Sequence, residues 1–269
     1  MLGKLIKHEW KAVGKILAIV HIALVLMAII GKIMLSIDVL SEAWLLWRML
    51  LLIYIFSVIA VGVGTHIYLA VRFYKNMYTD EGYLSFTLPV KPWQHIFSKT
   101  LVSSIWILID GVAIIGSIVI LVMYKGMGTE FVDVLNVIME ELGEVGMFGV
   151  WSVILTVITA ILSLVSIPLT YYIAISVGQL FNTHKMLASV VAYFIIVNVI
   201  QAIGTLSSAV LILKVDETAE VQTASANILE ELGVYNDMIS LGMVEQLVMA
   251  VAFWLIINYI MNRRLNLES

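Results

Sequence analysis

The sequence of 269 residues contains no cysteine, only three prolines and few charges, with Asp, Glu, Lys and Arg making up 13% of it. Without cysteine there is no disulfide framework, no thiolate metal site and no thiol nucleophile, and the redox compartment cannot be read. No GxxxxGK[ST] phosphate loop occurs, which excludes the usual route to ATP binding and hydrolysis by this chain. HExxH and GxSxG are absent too, and no histidine or acid in the apolar runs has a partner at metal-ligand spacing. No catalytic residue and no metal ligand is therefore assigned. What fills the chain instead is apolar: 62% of it is hydrophobic and the mean hydropathy is +1.04, so the expected solvent is a bilayer.

Apolar runs of about 20 residues suffice to cross a hydrocarbon core about 30 Å thick as a helix. Six such runs are present, near 16–36, 44–70, 100–124, 148–175, 186–213 and 243–261. The expectation is an all-α integral membrane protein with six transmembrane helices, forming one membrane domain over 1–269. An even number of spans puts both termini on one side, and basic residues choose the side. Eleven Lys and Arg, among them Lys4, Lys7, Arg72, Lys75, Lys91, Lys99, Lys185 and Arg263, share the side of the termini, against Lys32, Arg48, Lys125 and Lys214. Both termini are thus expected in the cytoplasm, with 125–147 and 214–242 as extracellular loops. Acidic residues run the other way: Glu130, Asp133, Glu140, Asp216, Asp237 and Glu245 are among those assigned to the outer face.

Residues 1–15 carry Leu2, Leu5, Ile6, Trp10 and Val13 at helical spacing, with Lys4, Lys7, His8, Lys11 and Lys15 on the other face. This pattern predicts an interfacial helix whose lysines face anionic lipid. In the first outer loop, Phe131, Val134, Leu135, Ile138 and Met139 form an apolar stripe on an acidic segment, predicting a short amphipathic helix. The second is expected to place a short helix at the outer interface as well, since ILEELG at 228–233 echoes IMEELG at 138–143. Within the spans, Asp110 must face protein or water, because a carboxylate at mid-membrane costs about 2.5–3.5 kcal/mol on insertion scales. It is a candidate for a substrate path, with a structural hydrogen bond as the alternative. His21, His66, Asn198 and Gln201 read as interhelical hydrogen-bonding groups, Ala60/Gly64 and Ala174/Gly178 as close-packing pairs, and Pro168 as a kink in the fourth span.

The longest stretch without a membrane-like run in the first half is residues 72–99, RFYKNMYTDEGYLSFTLPVKPWQHIFSK. Thr79 is placed to cap a short helix whose first turn carries Asp80 and Glu81, as the helix dipole favours. Pro89 ends that helix, and Pro92 occupies the first turn of the next. The result is a short helix bearing Tyr83, Leu84, Phe86 and Leu88 between two spans. Aromatic and aliphatic groups there suit a protein partner better than water.

With this stretch, the basic amphipathic start and six spans with both ends inside, the chain resembles the permease subunits of type 2 ATP-binding-cassette exporters, especially those of Gram-positive bacteria. The resemblance implies a location in the bacterial plasma membrane and pairing with a second permease subunit, identical or related. It also implies a cytoplasmic cassette ATPase in two copies, which would bind the ATP and magnesium that this chain does not. Residue by residue, it assigns the ATPase contact to a coupling helix of Tyr78, Thr79, Asp80, Glu81, Gly82, Tyr83, Leu84, Ser85 and Phe86, with Leu88, Pro89 and Pro92 fixing the loop. The turn Asn182, Thr183, His184 and Lys185 would be a second contact. The substrate implied is hydrophobic or amphipathic, such as a peptide, peptide antibiotic or drug. Two other readings stay open: a proton-coupled secondary carrier using Asp110, and a membrane anchor or sensor that recruits a cytoplasmic protein without transport. Nothing in the sequence points to nucleic acid.

Overall fold

A computed structural model describes residues 1–36, 44–87, 89–123, 127–144, 146–216 and 224–263. Eight helices account for nearly all of them: α1 (Leu2–Ser36), α2 (Trp44–Tyr78), α3 (Asp80–Thr87), α4 (Pro92–Val122), α5 (Met127–Glu144), α6 (Met147–Gly178), α7 (Lys185–Asp216) and α8 (Ala224–Arg263). No strand occurs among the described residues. Six of the helices, α1, α2, α4, α6, α7 and α8, are long and apolar enough to cross a membrane. At 31 to 40 residues each, they exceed the roughly 20 residues that a hydrocarbon core needs and must project beyond it.

The expected boundary near residue 15 is not a break, because α1 runs unbroken from the basic segment into the first span. Val13, Leu17, Leu24 and Ala28 continue one buried stripe, and no proline interrupts it. In the stretch expected as the second extracellular loop, 214–242, no separate short helix occurs among the described residues. Helix α7 extends to Asp216 and α8 begins at Ala224, so most of 214–242 belongs to the two long helices. The stretch expected as the first extracellular loop, 125–147, does contain the expected amphipathic helix, α5, whose side chains from Thr129 to Glu140 are all exposed. Helix α6 continues through Pro168.

The chain divides into two compact units, 1–73 with 97–137 and 74–96 with 138–269. In the first, α1, α2 and α4 bury Leu17, Leu24, Leu69, Phe73, Val102 and Trp106. Their outward faces carry exposed apolar groups such as Ile19, Ile22, Phe56, Ile59 and Ile115, as lipid-facing surfaces should. In the second, α6 packs against α7 and α8. Gly178 explains how closely: a Cβ there would stand 2.7 Å from the Cα of Ser189, so the backbones meet only because the side chain is missing. Hydroxyls in the spans are mostly satisfied within their own helix, for example Ser104 to the Thr100 carbonyl at 2.8 Å and Thr170 to the Ser166 carbonyl at 2.9 Å. That is why the serines and threonines do not disqualify these helices as spans.

Candidate functional site

The stretch 72–99 folds as the end of α2, the eight-residue helix α3 and the start of α4. Helix α3 turns back from α2 at Gly82, where a Cβ would lie 2.7 Å from the Met77 carbonyl oxygen. Only glycine allows that approach. Asp80 and Glu81 occupy the first turn as expected. The cap does not form as expected: the Thr79 hydroxyl donates backward to the Lys75 carbonyl at 2.6 Å, closing the end of α2. At that end the unpaired groups are carbonyls, which a hydroxyl can satisfy as a donor. Pro92 is the first residue of α4, and the Gln94 side chain accepts from the Lys91 amide at 3.1 Å.

The nine residues assigned to a partner contact separate into two groups. Asp80, Glu81, Tyr83 and Leu84 are exposed, with Tyr83 at 64% and Leu84 at 68%. The others are engaged internally. Tyr78 donates to the Ser176 hydroxyl of α6 at 2.7 Å, Gly82 is buried, the Ser85 hydroxyl donates to the Glu81 carbonyl at 3.1 Å, and Phe86 lies against the buried His95 ring. Glu81 also accepts from Asn76 of α2, which ties α3 to the helix before it. Pro89 is exposed; Leu88 lies outside the described residues.

Through Tyr78 and Ser176 the end of α2 is fastened to the end of α6, just before the second predicted contact. There the chain reverses between Gly178 and Lys185. His184 takes a left-handed conformation, φ 54°, and its carbonyl accepts the Ala188 amide at 2.9 Å as α7 begins. Asn182, Thr183 and His184 are exposed, with Phe181 beside them, and Lys185 is half-buried. The two predicted contacts therefore share one end of the second unit.

Asp110 is in the core of the first unit, 3% exposed, and joins three helices. Its Oδ1 is 2.8 Å from His21 Nε2 on α1 and accepts the Thr65 hydroxyl of α2 at 3.1 Å. The other ring nitrogen of His21, Nδ1, lies 2.6 Å from the Leu17 carbonyl and must donate to it. The imidazole ring links α1 to the Asp110 carboxyl of α4. His21 thus forms the expected interhelical bond. His66 and Asn198 do not: they bond the Gly62 and Phe194 carbonyls of their own helices, both at 2.8 Å.

Sequence reasoning overlooked Glu9, the only acidic residue among the first 36. Its Oε1 accepts Arg72 Nε at 2.8 Å and its Oε2 accepts Lys99 Nζ at 2.9 Å. Arg72 and Lys99 are the two ends of the 72–99 stretch, and one carboxylate on α1 holds both. A lone acid on a lysine-rich helix face was the available signal. Nearby, Trp10 stacks on Trp106 of α4 at 5.2 Å, so this part of α1 is packed within the first unit.

No protein-family model matches the chain, and neither a curated protein nor a solved structure matches it. The described residues contain no group of three or more metal-ligating side chains.

Proposed function

We propose that this chain is the transmembrane subunit of an ATP-driven exporter of the type 2 ATP-binding-cassette class, with both termini in the cytoplasm of a bacterial cell. In this reading it pairs with a second permease, identical or related, and moves a hydrophobic or amphipathic molecule outward. The ATP and magnesium are bound by two copies of a separate cytoplasmic ATPase. The observation that carries the proposal is α3: a short helix held between two spans by Gly82 and the Asn76–Glu81 bond, presenting Tyr83, Leu84, Asp80 and Glu81 outward. An anchored helix with an exposed aromatic and aliphatic pair suits a docking element, because little conformational entropy remains to be lost when a partner binds. The exposed turn at 181–184, at the same end of its unit, offers that partner a second contact. ATP-dependent closure of the partner would then bias the permease through these contacts.

Affinity purification from the native membrane tests this directly. A cassette ATPase should accompany the chain and be lost from the Tyr83→Ala/Leu84→Ala double variant, while Tyr83→Phe retains it. Purification without any ATPase would refute the export reading.

The buried His21–Asp110 pair favours a second reading, a proton-coupled carrier. Transport that continues at full rate in Asp110→Asn would exclude it.

A further inference from the structure

Glu245, assigned to the outer face and to the start of the sixth apolar run, lies within the candidate span of α8, Gly233–Asn262. It lies about 27 Å along α8 from Arg263 at 1.5 Å per residue. Its carboxylate faces α7: the Oε2 atom is 4.0 Å from where a Cβ would stand on Gly204. Gly204 in turn is about 28 Å along α7 from Lys185, so the two helices agree on the depth. With Lys185 and Arg263 at one face of a core about 30 Å thick, Glu245 stands near the opposite edge.

Lys and Arg are sparse on the helices of its own unit. Helices α6 and α8 contain no Lys or Arg before Arg263, and α7 has only Lys185 at its start and Lys214 near its end. Glu245 makes no hydrogen bond or ion pair among the described residues. Gly204 also lines an open surface groove on α7 with Gln201, Thr205, Ser208 and Ala209. Gln201 and Thr205 are exposed there; the Thr205 hydroxyl donates to the Gln201 carbonyl at 2.8 Å, whereas lipid contact in this candidate span would leave the Gln201 side-chain amide unsatisfied. A half-buried carboxylate with no ion pair among the described residues, facing Gly204 of a groove that also carries amide and hydroxyl groups, is chemically matched to a cation with an apolar body.

We infer that Glu245 and the Gln201–Thr205–Ser208 face of α7 form a binding site for the ammonium or guanidinium group of a cationic amphipathic molecule. Glu245 supplies the charge, the α7 side chains supply orientation, and the absent side chain at Gly204 leaves the carboxylate within reach of the groove. The assignment of this ligand as the transported substrate rests on the export reading; the site itself does not. In that cycle its position, far from Lys185 and Arg263, makes it the last station before release outward.

The test is equilibrium binding of a dansyl-labelled alkylguanidinium to the full chain in nanodiscs of zwitterionic lipid, with empty nanodiscs subtracted and the alkylurea of the same length as a neutral control. Saturable binding that prefers guanidinium to urea by about tenfold or more is expected, with a loss of about tenfold or more in Glu245→Gln. Gly204→Leu should weaken binding similarly, by filling the groove without removing the charge. Equal affinity of the wild-type chain and Glu245→Gln for the guanidinium, or no preference over urea, overturns the site. Because no ATPase is present, Glu245-dependent binding by a chain that purifies without an ATPase would refute export and leave the site standing. An ATPase partner with Glu245-independent binding would do the reverse.

Discussion

Replacing Glu9 by Gln keeps the size and polarity of the side chain and removes only its charge. The carboxylate it removes lies between Arg72 and Lys99, at 2.8 and 2.9 Å, with the Lys99 side chain 5% and the Arg72 side chain 23% exposed. Breaking a buried ion pair at one partner costs about 3–5 kcal/mol, because the remaining charge stays desolvated. Arg72 can recruit water, which discounts its share. A loss of about 3 kcal/mol is therefore expected, and for a chain of this size it corresponds to a fall of about 6–12 °C in the apparent unfolding temperature. Thermal unfolding in detergent micelles measures it. Lys99→Met alone should also destabilise, while Glu9→Gln/Lys99→Met should lose less than the two single changes together, since the double variant buries neither charge of that pair. A loss below about 1 kcal/mol in Glu9→Gln, or strict additivity in the double variant, would refute the view that this carboxylate holds the two ends of the 72–99 stretch to α1.

Two further outcomes follow from the same geometry. Gly82→Ala puts a Cβ against the Met77 carbonyl and should displace α3; capture of the proposed ATPase should drop although Gly82 is buried, and normal capture would show that the fold of α3 is irrelevant to docking. Thr65→Val removes a donor to the buried Asp110 and should cost about 1–3 kcal/mol of stability, read as a lower unfolding temperature; a smaller loss would mean that the His21 contact alone suffices.

Local patterns in the chain were enough to establish its class. Runs of Ile, Leu and Val specify spans because lipid requires each segment to satisfy its own backbone, and Pro92 and the Asp80–Glu81 pair act on their own helix turns. The short helix after α2 and the turn before α7 were legible for the same reason: the residues that start and stop a helix are its immediate neighbours. Thr79 shows the limit even at short range, since a hydroxyl between two helices can serve either one. Tyr78 shows another: its hydroxyl looked available to a partner and is bound to Ser176, 98 residues away.

By itself, then, the sequence determined the helical membrane class, the six spans and the exposed short helix, all of which follow from the period and extent of apolar residues within one segment. Only the tertiary structure decided that Glu9 joins Arg72 to Lys99, that His21 and Thr65 meet Asp110, and that Glu245 of α8 faces Gly204 of α7. Those pairings depend on which faces of distant helices meet. Side-chain charge and hydropathy say that such groups need partners, and the packing of the helices selects them.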